Sequence, residues 1–297
     1  MNLTASSWVF LCLAIAGAAM TTTALVRADR LGFGNMLWFL SGWLTSELAL
    51  FHVLLSALVV TAFALASDAL LAWPGRLAVA LVLLSWTGLL VAQWRAQPTR
   101  RVLEEALQFA LGRDYRERVT LARRTVLRDA VPLRELAAPF ALRSPGVERT
   151  GNLPYADGHE RHVLDVYRPA SGCVDAPVLM QIHGGGWMLG NKHEQGLPLV
   201  YHLAQRGWVV VTPNYRLSPE ARFPDHLVDC KRALAWVRQN IAQYGGNPAF
   251  VAVTGGSAGG HLTALMALTE NDARLQPGFE DVDTSVVPGM PEAARKL

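Results

Sequence analysis

The first 94 residues contain long stretches almost without charged side chains, and this feature most constrains what the chain can fold into. Residues 1–26 and 77–94 carry no charge, and residues 31–75 carry only Glu47 and Asp68. A helix of about 20 uncharged apolar residues covers the ~30 Å hydrocarbon core of a bilayer. About three membrane-spanning helices are therefore predicted. The predicted transmembrane region is 1–94, with spans roughly at 8–26, 48–72 and 77–94.

One further apolar segment, residues 33–46, is 14 residues long and is interrupted by glycine. Since this length is short for a membrane crossing, we predict an interfacial or re-entrant segment there. Loops on the cytoplasmic side of a membrane are richer in arginine. The loop after the first predicted span contains two arginines, Arg27 and Arg30, whereas the loop after the second contains one, Arg76. We therefore predict a multi-pass membrane protein whose residues after 95 are cytoplasmic. A fourth span would reverse that side.

A basic segment, residues 95–146, is predicted to link the membrane region to the rest of the chain. Over residues 95–149 there are twelve arginines and seven acidic residues, and apolar residues recur at helical spacing before Pro132, Pro139 and Pro145. This helical linker either lies on anionic membrane lipid or is a solvated connector or a cap over the next domain. Nucleic acid is excluded as a partner, because acids interrupt the arginines and no recognition motif accompanies them.

From residue 147 onwards, short β-branched runs alternate with helical stretches. This pattern predicts an α/β domain over residues 147–297, with a mostly parallel sheet flanked by helices. The segment HVLDVYRP, residues 162–169, alternates in polarity like an edge strand. The other predicted strands are 177–186, 208–216 and 250–254, and the predicted helices are 226–245 and 258–269.

Two glycine-rich segments carry the chemistry. The segment GGSAG, residues 255–259, follows a predicted strand and opens a predicted helix, so it holds Ser257 on a sharp turn at the positive end of that helix. The segment HGGGW, residues 183–187, follows another strand, and its glycines expose N–H groups that can stabilise a tetrahedral oxyanion. Together with the N–H of Ala258, they predict an oxyanion hole and acyl transfer to water.

These segments also carry a family resemblance. HGGGW, then YRLSPEARFPD (215–225), then GGSAGGHL (255–262) resemble the α/β-hydrolase superfamily. The most similar group in it is the hormone-sensitive-lipase-like carboxylesterases and their feruloyl-esterase-like relatives. The resemblance covers about residues 150–270. It implies an α/β-hydrolase fold and a carboxylesterase or lipase-type serine hydrolase that acts on a small ester.

The resemblance also implies roles for individual residues. Ser257 is the expected nucleophile, and Gly185, Gly186 and Ala258 are the expected N–H donors to the oxyanion. His183 is expected to be a structural residue of its loop. Many lipase-like relatives have aspartate at the position of Gly256, and the glycine here matches the feruloyl-esterase-like pattern. The three cysteines form no metal pattern, and neither a cofactor nor a metal ion is predicted.

The catalytic acid and base are the missing part of this pattern. In the family they follow the nucleophile in the order acid, then histidine. Only His261 follows Ser257, and it lies on the same predicted helix. The segment DTSVVP, residues 283–288, resembles the start of a further strand, after which the apolar pattern stops. We therefore expect a C-terminally truncated hydrolase domain without triad acid or base. Four later carboxylates have no assignable role: Glu270, Asp272, Asp281 and Asp283.

Two functional hypotheses follow from the sequence. The first is a membrane-anchored serine esterase by descent, with little or no turnover in this chain because the base is absent. The second is a non-catalytic membrane protein that uses the same pocket to bind a ligand or a partner. The intact nucleophile and glycine loop favour the first hypothesis. Acyl length, alcohol group and oligomeric state are left open.

Overall fold

The computed structural model describes residues 3–26, 34–118 and 145–286. The chain divides into two compact units, Met1–Arg124 and Thr125–Leu297, and the division falls inside the predicted linker. Several sequence features lie outside the described residues: Arg27, Arg30, linker residues 119–144 with Pro132 and Pro139, and residues 287–288 of the predicted last strand.

The described part of the first unit is helical. Helices α1, α3 and α4 are each long and apolar enough to cross a membrane, by length and composition. Helix α2 has 14 residues and is about 21 Å long, which is shorter than the hydrocarbon core. The bounds are α1 Leu3–Leu25, α2 Gly34–Glu47, α3 Ala49–Ala66, α4 Trp73–Ala96 and α5 Thr99–Leu111, with a 3₁₀ turn at Ala69–Leu71.

The long helices differ from the sequence expectation at the second span, which was placed at 48–72. Helix α3 ends at Ala66, because Ser67 takes an extended conformation before the 3₁₀ turn. Large apolar side chains on these helices are mostly exposed, and Leu54 and Leu84 show 67% and 68% of their surface.

The second unit is built on one five-stranded sheet. Its order is β1-β2-β4-β3-β5, in which β1, β2 and β4 pair antiparallel while β4, β3 and β5 pair parallel. The helices lie on both faces, as predicted. The bounds are β1 Val147–Pro154, β2 Val163–Pro169, β3 Ala176–Ile182, α6 Leu197–Ala204, β4 Val209–Pro213, α7 Asp225–Asn240, β5 Gly246–Gly255 and α8 Ala258–Leu268.

The core alternates between the two faces of β3. Val178 and Met180 pack with α7 and α8 in the larger cluster, whereas Leu179 packs with Val200 of α6 in the smaller one. Successive side chains of a strand point to opposite faces, so β3 needs apolar residues at every position. The α/β class predicted from the sequence is confirmed.

The sheet is mixed, because β2 runs opposite to the other four strands of the described sheet, which share one direction, and the prediction of a mostly parallel sheet is confirmed. Two other details of the predicted sheet are wrong. Strand β2 is not at the edge: it lies between β1 and β4, and its Asp165 is fully buried by ion pairs with Lys192 and Arg149. Residues 283–286 form no strand.

Candidate active site

Strand β5 ends in a sharp turn at Ser257, which leads into α8. Ser257 has φ 54° and ψ −121°, a backbone conformation that residues with a side chain rarely adopt. The glycines on either side allow close packing. A Cβ on Gly255 would lie 2.5 Å from the carbonyl carbon of Gly259, and one on Gly259 would lie 2.2 Å from the Ile182 oxygen. Ser257 is exposed at the N-terminus of α8, where the helix dipole favours developing negative charge.

The HGGGW segment lies directly beside this serine. We call residues 183–190, which follow β3, the oxyanion loop. A Cβ added to Gly184 would lie 3.2 Å from the Ser257 Cβ and 2.7 Å from the Gly256 oxygen, so only glycine allows this approach. Gly185 and Gly186 both have positive φ, 118° and 61°. The two motifs, 74 positions apart in the sequence, therefore meet at Ser257.

The expected oxyanion donors are available in this arrangement. Within the described residues, no hydrogen bond is formed by the backbone N–H of Gly185, Gly186 or Ala258. Ala258 is the first residue of α8, so its N–H has no partner inside the helix. The loop is closed instead by the N–H groups of Met188 and Leu189, which donate to the Gly185 oxygen at 3.1 and 2.9 Å. The assignment of the three donors stays a prediction.

His183 contacts Tyr215 and the backbone of the oxyanion loop, as expected for a structural residue. Its ring is stacked on Tyr215 with centroids 4.4 Å apart, and the Tyr215 hydroxyl donates to the His183 oxygen at 2.9 Å. The His183 Nδ1 lies 2.8 Å from the Gly184 oxygen. Burial lowers the pKa of His183 below its usual value, and the nearby Arg161 charge lowers it further. A neutral ring that donates to the Gly184 carbonyl fits these contacts.

The YRLSPEARFPD segment also contacts the oxyanion loop. The Ser218 N–H donates to the Trp187 oxygen at 2.8 Å. Arg216, at the start of this segment, makes a two-pronged ion pair with the buried Asp229 of α7, with 2.8 Å from both Nε and Nη2. The segment is therefore fixed to the core rather than free to move. Sequence reasoning assigned no contact to Asp229, which lies thirteen positions away.

The structure places all eight histidines of the chain, and none of them forms a hydrogen bond with Ser257. His261 is one helical turn away, and its exposed ring packs edge-on against Trp187 with centroids 5.3 Å apart. His162 lies 3.3 Å from Asp229, far along the chain from the turn. The remaining histidines are His52, His159, His183, His193, His202 and His226.

Three of the four later carboxylates, Glu270, Asp272 and Asp283, have other partners. Arg274 binds Asp272 and lowers its pKa to about 2. Glu270 accepts from the Val286 N–H at 3.2 Å, and Asp283 accepts from the Ser285 N–H at 2.9 Å. None of these groups contacts Ser257. Within the described ranges, no cluster of His, Cys, Asp or Glu side chains could hold a metal ion.

A strained serine on a strand-to-helix turn, beside a glycine loop with free N–H groups, is the site of an α/β-hydrolase. Comparison with known proteins agrees. Residues 164–288 match the BD-FAE family model. Esterase LipQ of Mycobacterium tuberculosis is 41% identical over 67% of this chain and 48% of its own length. A second protein of that organism, "Probable carboxylic ester hydrolase LipM", is 52% identical over 48% of this chain and 33% of its own length. The hydrolase unit of the chain belongs to the hormone-sensitive-lipase-like carboxylesterases.

The comparisons also show how much of such proteins is present. The chain spans less than half the length of LipQ and of LipM. The LipQ match covers more residues than the hydrolase unit contains, so it includes residues before 147. Among solved structures, esterase B from Lactobacillus rhamnosis in complex with an inhibitor is 30% identical over 52% of this chain and 50% of its own, with a TM-score of 0.42.

Proposed function

We propose that the protein hydrolyses small carboxylic esters through an acyl-enzyme on Ser257. The observation that carries this proposal is the meeting of the two motifs: the exposed Ser257 of positive φ lies beside Gly184, with unbonded N–H groups on both sides. Relatives named esterases and carboxylesterases support it. They give no support to the alternative of a non-catalytic binding module.

The proposed chemistry has two acyl-transfer steps. Ser257 Oγ attacks the ester carbonyl, and the resulting oxyanion accepts hydrogen bonds from the N–H groups of Gly185, Gly186 and Ala258. Collapse expels the alcohol, and water then attacks the acyl-enzyme in the same way. Each step needs a base that takes the proton of the attacking group, the Ser257 hydroxyl and then water, and gives it to the leaving group, the alcohol oxygen and then Ser257 Oγ. Among the described residues no histidine is hydrogen-bonded to Ser257, so none of them is assigned the role of that base.

The test compares the native protein, extracted from membranes, with its Ser257→Ala variant. We expect hydrolysis of p-nitrophenyl butyrate by the native protein and a loss of at least ~10⁴-fold in the variant. Equal rates for the native protein and the variant would contradict the proposal, and saturable ester binding without turnover would favour a binding module.

We further propose that the three long apolar helices cross a membrane, with the hydrolase unit on the cytoplasmic side. Their length, their exposed leucines and the arginines that follow α4 support this orientation. The test uses a variant without native cysteines. A cysteine placed by Arg274→Cys should resist an impermeant maleimide in intact cells, whereas one placed by Arg76→Cys should react. The opposite pattern would reverse the orientation.

A further inference from the structure

The two ends of the oxyanion loop are held by a single side chain that belongs to neither motif. Arg161 lies in the turn between β1 and β2, and its guanidinium contacts three groups. Nε donates to the Tyr215 oxygen at 2.7 Å, Nη2 donates to the Gly190 oxygen at 2.9 Å, and Nη2 lies 3.4 Å from His183 Nε2. His183 begins the loop and Gly190 ends it.

The loop closes tightly at this point. Gly190 has φ 103°, and a Cβ on it would lie 2.5 Å from the Gly184 oxygen and 2.6 Å from His183 Nδ1. The two ends are therefore in contact, and the guanidinium bonds to both. A single planar group with several donors in fixed directions suits this task better than a lysine ammonium.

The support of Arg161 is itself fixed to the sheet. Its turn is closed by the Tyr155 N–H, which donates to the His162 oxygen at 3.0 Å. The buried Tyr155 hydroxyl donates to the Asn214 oxygen at 2.8 Å, next to the Tyr215 that Arg161 binds. The β1–β2 turn, the end of β4 and the oxyanion loop thus form one connected unit.

We propose that Arg161 is a positioning residue, which holds the oxyanion loop in the geometry that aims the N–H groups of Gly185 and Gly186 at the substrate oxygen. This inference rests on the proposed esterase function. Arg161 makes its bonds to loop backbone and to His183, and it acts through them. Because oxyanion donors bind the transition state more strongly than the substrate, a displaced loop lowers kcat and leaves KM little changed.

The kinetic test uses the full native protein and the variants Arg161→Gln and Arg161→Lys. Arg161→Gln is expected to lower kcat by ~10- to 100-fold, since a misplacement of about 1 Å costs up to ~10²-fold. KM should stay within about threefold. Arg161→Lys keeps the charge and one donor direction, so it should recover part of the loss. Arg274→Gln is the matched control, because that arginine is exposed and, among the described residues, is bonded only to Asp272.

A second measurement does not depend on turnover. Hydrogen exchange of the peptide covering residues 183–190 should be faster in Arg161→Gln than in the native protein. In a loop that is no longer held, the Met188 and Leu189 N–H groups are less protected by their hydrogen bonds to the Gly185 oxygen. The Arg274→Gln variant should exchange like the native protein. Unchanged exchange in this peptide together with unchanged kcat in Arg161→Gln would overturn the inference. A rise in KM by the same factor as the fall in kcat would also overturn it.

The two measurements separate this inference from the proposed function. If the native protein hydrolyses no ester and forms no covalent adduct, the esterase proposal fails. The exchange of residues 183–190 then still decides whether Arg161 holds the loop. If the native protein is active and Arg161→Gln is equally active with native exchange, the esterase proposal stands and the role of Arg161 is refuted.

Discussion

The tight packing behind Ser257 leads to a prediction about two neighbouring glycines. In Gly259→Ala the new Cβ would lie 2.2 Å from the Ile182 oxygen and 2.7 Å from the His183 oxygen, against a lower limit of 3.0 Å for real contacts. The end of β3 and the start of α8 must then separate by about 0.8 Å. Overpacking of this kind costs ~1–3 kcal/mol of stability. Displacement of the nucleophile relative to the oxyanion loop lowers the acylation rate by ~10²-fold.

Gly256→Ala is the matched control, because no heavy atom lies within 4 Å of a Cβ placed there. We expect its stability to change by less than ~0.5 kcal/mol and its acylation rate to stay within a few-fold. The assay measures thermal unfolding by tryptophan fluorescence and the rate of phosphonate labelling, both on detergent-extracted native protein. Equal behaviour of the two variants would refute the packing argument.

Three further predictions follow from the site and its support. Ser257→Gly relieves the positive φ and should raise the unfolding free energy by ~1 kcal/mol while abolishing phosphonate labelling; lower stability would contradict strain at this turn. Lys192→Met removes one of the two cations that pair with the buried Asp165 and leaves Arg149 in place, so it should destabilise by ~1–3 kcal/mol, measured by the unfolding midpoint; a neutral effect would contradict the importance of the Lys192 ion pair. Burial lowers the pKa of His183 and His226 in the folded chain below the ordinary 6.5. As the pH falls, these two histidines are therefore protonated at higher pH in the unfolded chain than in the folded chain. Stability should fall below about pH 6.5, by up to ~1.4 kcal/mol per pH unit for each histidine, and a rise in stability there would refute it.

The local parts of the site were predictable from the sequence, because they depend on glycine positions within a few residues. Ser257 and the HGGGW segment lie where the pattern placed them, after β5 and β3. A strand-to-helix turn that must pack closely needs glycine on both sides of the serine, and the five consecutive residues 255–259 meet this requirement.

The sheet edge was not predictable, and Asp165 shows why. Within HVLDVYRP this carboxylate marks a solvent-facing position, yet it is fully buried because Lys192 and Arg149 pair with it. A polarity pattern in the sequence shows that a side chain is charged, but it does not show which oppositely charged side chain pairs with it in the fold. One of the two edge strands of the described sheet, β1, is so polar that no strand was expected there.

Arg161 was missed for a related reason. Its partners Gly190 and Tyr215 lie 29 and 54 positions away, and the contacts are to backbone oxygens, which any residue type provides. No local motif can therefore indicate it. An arginine in a short turn directly before a core strand is the only trace of its role in the sequence.

The most direct test of the central claim is the site of covalent modification in the native protein. Protein extracted from membranes is treated with a fluorophosphonate, digested, and mapped by mass spectrometry. The account predicts a single major adduct on Ser257, absent from the Ser257→Ala variant. An unmodified Ser257 in a protein that hydrolyses esters, or an adduct that persists in the variant, would contradict it.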